Sequence, residues 1–238
     1  VLLVVPCYNE SERLNLAAFK AFSALGHSIC FADDGSVDGT ADVLRKAFYG
    51  NTHIDIFRAD VNQGKAAIIR SAVLDRLRRG LPPDIEWVGY WDADLATPLE
   101  EVDLFLRFRA DFSPQAKAVF GSRILRLGAE IERSALRHYL GRAFATLAAL
   151  MLNVRSYDSQ CGAKLFHRSV LDKVFREDFI SRWVFDLEIL LRLEKDNDQV
   201  VECPVSRWKD IPGSKVKIFK EIFRVFGDLL KIRSRYLG

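Results

Sequence analysis

The sequence is short of cysteine, histidine and long apolar runs, and each shortage removes a class of function. Its four Cys (Cys7, Cys30, Cys161, Cys203) stand far apart with no CxxC pair. Neither a disulfide scaffold nor a zinc ribbon fits, and reduced thiols in a cytosolic environment are expected. Only His27, His53, His138 and His167 are available, which leaves imidazole catalysis little support; His53 reads as a packed or edge residue of a strand. The longest later apolar stretch, 144–154, is about eleven residues long and broken by Thr146 and Asn153. A membrane span needs roughly 20. The opening run Val1–Val5 ends at Pro6 and Cys7, as a buried strand does and a signal peptide does not; with no Met at position 1, a start upstream is expected. The 14 Gly and 7 Pro form no collagen repeat or low-complexity tract. They also form no GxGxxG, GxxxxGK[ST] or GxSxG motif, which argues against a dinucleotide-binding fingerprint, a P-loop and a serine-hydrolase elbow.

What remains describes a folded protein. In 238 residues, 49% are apolar and 28% charged, enough for a sizeable core. The net charge of +3 hides an uneven distribution: residues 205–238 hold nine Lys/Arg against three Asp/Glu, so the end carries +6 and residues 1–204 carry −3.

Hydrophobic patterning predicts strands at Val1–Val5, Ser28–Ala32, His53–Phe57, Trp87–Trp91 and Ala118–Phe120. Helices are predicted at Glu10–Leu25, after an Asp38 cap, at Ala66–Arg78 and from Pro98 through Arg109. Such alternation means βαβ units: an α/β fold with one mostly parallel, Rossmann-like sheet and helices on both faces. After Gly121 the reading is a loop over Ile124–Arg133, a long helix over Ala135–Leu152 and strands at Cys161–His167 and Val200–Val205. Helices near Ser169–Phe175 and Val184–Leu193 separate those strands. No linker or repeat appears, so one domain over residues 1–238 is expected.

Ligands of open α/β sheets bind beyond the carboxyl ends of the strands. There the sequence places Pro6, Tyr8, Asn9 and Glu10; Asp33, Asp34, Gly35 and Ser36; Asn62, Gly64 and Lys65; Asp92 and Asp94; and Gly121, Ser122 and Arg123. Each alone reads as an ordinary turn, but five such groups in register read as a site. Asp92-x-Asp94 after an apolar strand suits a hard divalent ion, Mg²⁺ or Mn²⁺, bridging a diphosphate.

Together, Val5-Pro6-x-Tyr8-Asn9-Glu10, Asp33-Asp34-Gly35-Ser36-x-Asp38-Gly39-Thr40, Asn62-x-Gly64-Lys65, Asp92-Ala93-Asp94 and Gly121-Ser122-Arg123 resemble the family 2 inverting glycosyltransferases. The resemblance spans nearly the whole chain. It implies the GT-A fold and a nucleotide-sugar donor, with residues 1–123 as the donor half and 124–238 as the acceptor half. Asp158–Phe166 and Arg182–Glu188 resemble the dolichyl-phosphate β-glucosyltransferases more narrowly, with mannose synthases and bacterial polyprenyl-phosphate enzymes as relatives. The resemblance implies Pro6, Tyr8, Glu10 and Asp34 at the nucleoside, with Asn9 and Asp33 close by and Lys65 near base or phosphates. It further implies Asp92 and Asp94 at metal and diphosphate, and Arg123, Arg137 and Lys215 at phosphate. Leu95-Ala96-Thr97 lacks the Gln that mannose synthases carry after this motif, which favours glucose.

Enzymes that glycosylate a sugar hydroxyl need a carboxylate base, and the family's usual ED base and QxxRW segment are not apparent. Glu100 and Glu101 read as helix-dipole partners. A lipid phosphate, with its second pKa near about 6, needs no base. Asp158, Gln160, Asp186 and Glu188 are expected to shape the sugar site, or else to serve as structural support. At the basic end, Phe219, Ile222, Phe223, Phe226, Leu229 and Leu230 recur at helical spacing, with Lys217, Lys220, Arg224, Lys231 and Arg235 on other faces. Two readings stand: a helix in an anionic membrane interface, or a helix packed on the core. A polyprenyl acceptor favours the first, and nucleic acid is a poor partner for an acidic body. The expectation is glucose transfer from UDP-glucose to a polyprenyl (dolichyl) phosphate at the cytoplasmic face of a membrane. The alternatives are a GDP-mannose or UDP-GlcNAc donor, a saccharide hydroxyl acceptor, or a nucleotide-sugar binder without turnover.

Overall fold

The computed structural model describes residues 1–132, 135–210 and 218–238, and their side chains except at 135–138, 140 and 218–223. In chain order the elements are β1 (Leu2–Cys7), α1 (Leu16–Ala24), β2 (Ser28–Asp33), α2 (Thr40–Ala47), β3 (Ile54–Arg58) and α3 (Lys65–Arg79). Then come β4 (Trp87–Trp91), α4 (Glu101–Phe112), β5 (Ala118–Ser122), β6 (Glu130–Glu132), α5 (Ala135–Leu152) and β7 (Ala163–His167). A 3₁₀ turn at Arg168–Val170 leads to α6 (Leu171–Phe175), α7 (Phe185–Glu194), β8 (Val200–Pro204), β9 (Arg207–Lys209) and α8 (Ile218–Leu237).

Seven strands form one sheet in the order β3-β2-β1-β4-β7-β5-β8, and β6 pairs with β9 in a separate parallel ribbon. The expected sheet is present with one difference: β7 lies between β4 and β5 and runs antiparallel to both. Residues 123–162 leave and re-enter at the same edge of the sheet, so no crossover reverses the chain. β7 therefore starts where β4 and β5 end, and its first residues stand beside Asp92, whose N–H donates to the Gly162 carbonyl at 3.0 Å.

Side-chain alternation divides β1 between two cores. Leu2 and Val4 pack with α3, α6 and α7, whereas Leu3 and Val5 pack with Phe19 of α1, Leu44 of α2 and Phe105 of α4. Several local expectations shift. Residues 10–15 form a turn and not the first part of a helix, and α1 begins where the Asn15 side chain accepts from the Ala18 N–H. His53 sits in the turn before β3, and β6 occupies three residues of the expected loop. The helix expected from Pro98 starts at Glu101, which is buried and accepts from the N–H groups of Ser206 (3.1 Å) and Arg207 (3.2 Å). Its charge is used to hold the chain between β8 and β9 more than to meet a helix dipole. At the C-terminus, α8 packs on the core through Val225, Leu229 and Ile232, the second of the two readings. Lys217 and the side chains of Phe219, Lys220, Ile222 and Phe223 lie outside the described residues.

Candidate active site

Pro6, Tyr8, Glu10, Asp34, Asn62, Gly64, Lys65, Asp92 and Asp94 line one cleft of about 280 Å³ at the carboxyl edge of the sheet. Four loops meet there because β1, β2, β3 and β4 run parallel, so their exits share an edge; the loop after β5, with Arg123, does not line this cleft. Asn9 and Asp33 stand behind the wall. The Asn9 amide oxygen accepts from Val37 N–H (3.0 Å) and its own N–H donates to Ser36 Oγ (2.9 Å), tying the first two loops together. Asp33 is fully buried, accepts from Ser36 N–H at 3.0 Å and pairs with Arg58 at 3.3 Å. Asp34 reaches the cleft but uses both carboxylate oxygens on backbone, accepting from Gln63 N–H at 2.7 Å and Gly64 N–H at 2.8 Å. That pair of bonds folds residues 62–64 over the second loop. Gly35 permits it: its φ is +68°, and a Cβ there would lie 2.7 Å from the Val61 carbonyl carbon.

Asp92 and Asp94 follow β4 directly. Lys65 Nζ lies 2.5 Å from Asp92 Oδ1, and the same ammonium sits 5.9 Å from the centre of the Tyr90 ring. Burial works to lower the Lys65 pKa, but Asp92, then Asp186 and Asp94, hold it above the ordinary value. Asp94 accepts from Ala96 N–H at 3.0 Å; burial and the neighbouring Asp92 charge push its carboxyl above the usual carboxylate range. Two adjacent carboxylates, one destabilised by the other, make an oxygen donor set that suits a hard divalent cation. No third His, Cys, Asp or Glu joins them among the described residues, so the remaining ligands would be water and diphosphate oxygens, the usual habit of Mg²⁺. Gly162 is the residue that makes room: a Cβ there would fall 1.9 Å from Asp92 Oδ2.

The acceptor-side residues are arranged differently. Arg123 makes a forked pair with Asp158, Nε to Oδ2 at 2.6 Å and Nη2 to Oδ1 at 2.7 Å, and lies 5.4 Å from the Trp208 ring centre. Burial works against the Asp158 carboxylate, yet Arg123 holds its pKa below the ordinary value. Asp186 is buried and accepts from Lys164 Nζ (2.6 Å), the Tyr90 hydroxyl and, at 3.4 Å, Gln160 Nε2. Lys164 itself is wholly buried and also donates to the Cys161 carbonyl at 2.6 Å. Glu188 accepts from the N–H groups of Ile180 and Ser181, both at 3.0 Å, and burial raises its pKa. Thus Asp158, Asp186 and Glu188 are internal counter-ions and loop anchors. The Arg137 side chain and Lys215 lie outside the described residues.

Arg142 was not anticipated. It donates to the Tyr157 carbonyl at 2.5 Å and stacks 3.6 Å from that ring's centre, and with Arg123, Tyr157, Asp158 and Gln160 it lines a small cavity of about 70 Å³. The available signal was a second arginine, five residues after Arg137, in a helix without a carboxylate. Lys164 and Tyr90 also escaped notice; a lysine inside the buried run Ala163–Phe166 was the sign that a counter-charge lay opposite.

The Glycosyl transferase family 2 model matches residues 2–175. Dolichyl-phosphate beta-glucosyltransferase of Saccharomyces cerevisiae is 31% identical over 251 residues, covering 99% of this chain and 74% of that protein. The Homo sapiens enzyme of the same name is 32% identical over 99% of this chain and 75% of its own length. Among solved structures, Mycobacterium tuberculosis glucosyl-3-phosphoglycerate synthase in complex with UDP aligns at a TM-score of 0.66 and 14% identity, covering 98% of this chain and 79% of that one. The same synthase with Mn²⁺, UDP-glucose and phosphoglyceric acid gives 0.66, 14%, 98% and 79%. At that identity the likeness is one of fold, and the fold is the GT-A arrangement. The seven-stranded sheet, the cleft at its carboxyl edge and the sequence similarity agree that the chain belongs to glycosyl transferase family 2.

Proposed function

We propose that this chain is an inverting glucosyltransferase that moves glucose from UDP-glucose to dolichyl phosphate at the cytoplasmic face of a membrane. The observation that carries the reading is the contrast between the two sides of the site. Asp92 and Asp94 face the donor cleft, whereas Asp158, Asp186 and Glu188 are committed to internal partners. None of those three is placed to deprotonate a hydroxyl, and a phosphate acceptor, already ionised at neutral pH, does not require it. Near-full-length similarity to dolichyl-phosphate beta-glucosyltransferases supports the same donor sugar and acceptor. Crystals of the structural neighbours with UDP and Mn²⁺ or Mg²⁺ support a divalent ion.

In this reading residues 1–123 bind the donor and 124–238 the acceptor. Pro6, Tyr8, Glu10 and Asp34 line the nucleoside end of the cleft, with Asn9 and Asp33 fixing its wall. Asp92 and Asp94 would hold Mg²⁺ or Mn²⁺, which when bound neutralises the charge of the departing diphosphate. Lys65 balances Asp92 and adds positive charge on the donor side. Arg123, fixed by Asp158, draws the acceptor phosphate toward the anomeric carbon, with Arg137, Lys215 and Arg142 as further phosphate partners. An acceptor oxygen forms the new bond to C1 as the bond from C1 to UDP breaks, with inversion; positioning and charge do the work of a base.

Incubation of the protein with radiolabelled UDP-glucose, Mn²⁺ and dolichyl phosphate tests this. Label is expected in the organic phase; label confined to water-soluble saccharide, or transfer from GDP-mannose or UDP-GlcNAc in preference, overturns it.

A further inference from the structure

Helix α5 has an outer face that a water-facing helix rarely shows. Ala148 and Leu152 point inward and are fully buried, while Tyr139, Leu147 and Leu150 are 72%, 46% and 75% exposed. With Ala143 and Thr146, also exposed, these residues follow one another at i, i+4, i+7, i+8 and i+11 and so share one side of the helix. None of the five carries a charge. Residues 134–157 contain no Asp or Glu, although the chain holds 32 of them. The usual polar side of an amphipathic helix is therefore missing.

The neighbouring helix extends the patch. α8 lies along α5, and Arg233 of α8 donates to the Met151 carbonyl at the end of α5. Phe226 and Leu230, 45% and 50% exposed, precede Arg233 at seven and three residues, on the same stripe of α8 and so on its α5 side. The basic residues expected to face a membrane do not all do so: Arg235 pairs with Glu177 at 2.6 Å, away from this stripe.

We infer that the outer face of α5, with Phe226 and Leu230 beside it, lies on a lipid surface; the inference rests on the polyprenyl-phosphate reading of the site. Charge selects lipid over a second copy of the chain. The stretch is free of carboxylates, and Arg155 just beyond its end is exposed, suited to anionic headgroups. Position supports it too. Gly141, Arg142, Phe144 and Ala145 of α5 line the small cavity that holds Arg123 and Gln160. A helix lying flat would hold that cavity within roughly one helix diameter, about 10 Å, of the headgroups. Among the described residues no helix is long and apolar enough to cross a membrane, so α5 would rest in the interface.

The test is flotation with phosphatidylcholine vesicles, with and without phosphatidylserine. The wild type is expected to float, more so with phosphatidylserine, and Leu147→Glu/Leu150→Glu to lower the bound fraction by about tenfold or more. Tyr49→Glu, on a distant exposed residue, should float like wild type. Thermal melting should match wild type, and so should turnover of a short-chain, water-soluble polyprenyl phosphate. A wild type that does not float, or a double variant that floats like it, overturns the inference. So does a wild-type dimer that the double variant splits while neither form binds vesicles. Failure of the wild type to use the short-chain acceptor would count against the functional reading alone, since flotation is scored without it.

Discussion

The carboxylate pair after β4 and the acceptor-side pair of Asp158 and Asp186 have the same chemistry and opposite fates. Asp92 and Asp94 end a buried strand and open on a cleft, with Lys65 the nearby cation. Asp158 and Asp186 are turned inward, one gripped by Arg123 and the other by Lys164 and Tyr90. Topology makes the difference. Parallel strands return through helices and leave their exit loops on the rim, whereas β7 enters antiparallel and brings Lys164 level with Tyr90 inside the sheet. A lysine buried there needs a carboxylate, and α7 supplies it. Acid residues near a family site are thus of two kinds: those that hold a ligand and those that hold the protein.

The most severe break in this comparison is Asp92→Asn. Turnover should fall on the order of 10³-fold, the scale for removing one preorganised charge-stabilising group, with the melting temperature nearly unchanged. Lys164→Met should do the reverse, costing about 3–5 kcal/mol in urea unfolding because it strands the Asp186 charge. Lys164→Met/Asp186→Leu should recover much of that loss, short of the roughly 1–3 kcal/mol for the Tyr90 hydroxyl left without its acceptor. Gly162→Ala links the two sides: its methyl meets the Asp92 carboxylate, so turnover should drop about tenfold while stability falls by about 1–3 kcal/mol. The mildest effect is on acid stability. Asp158 has a lowered pKa in the fold, so its contribution is complete above the ordinary carboxylate value near about 3.9 and is lost as pH falls through the lower folded one. Asp158→Asn, less stable at neutral pH, should lose less on acidification than wild type, as thermal melts across that range would read.

The donor side was legible because its signals are local. Val1–Val5 and Trp87–Trp91 are apolar runs cut by polar turns, and each turn's residues sit where its strand ends. The acceptor side was not, because its signals are pairings across the chain. Nothing near Asp158 in sequence announces Arg123, 35 residues away, and nothing near Glu101 announces Ser206. The prolines and glycines marked turns well, but Gly162, read as part of a strand over Cys161–His167, lies just before β7 and gave no hint of how closely Asp92 packs there. Helical periodicity in α8 identified an apolar stripe without telling protein from lipid, since burial in either satisfies it equally. Val225, Leu229 and Ile232 meet the core, and the uncharged outer side of α5 stood unremarked in a helix read for its length, its small residues and Arg137.

The central claim, that Asp92 and Asp94 hold a ligand while Asp186 holds the protein, is tested most directly by calorimetric titration of Mn²⁺ into the protein saturated with UDP. One divalent site is expected in the wild type, lost in Asp92→Asn and kept in Lys164→Met/Asp186→Leu. Retention of that site in Asp92→Asn, or its loss in the folded double variant, would contradict the account.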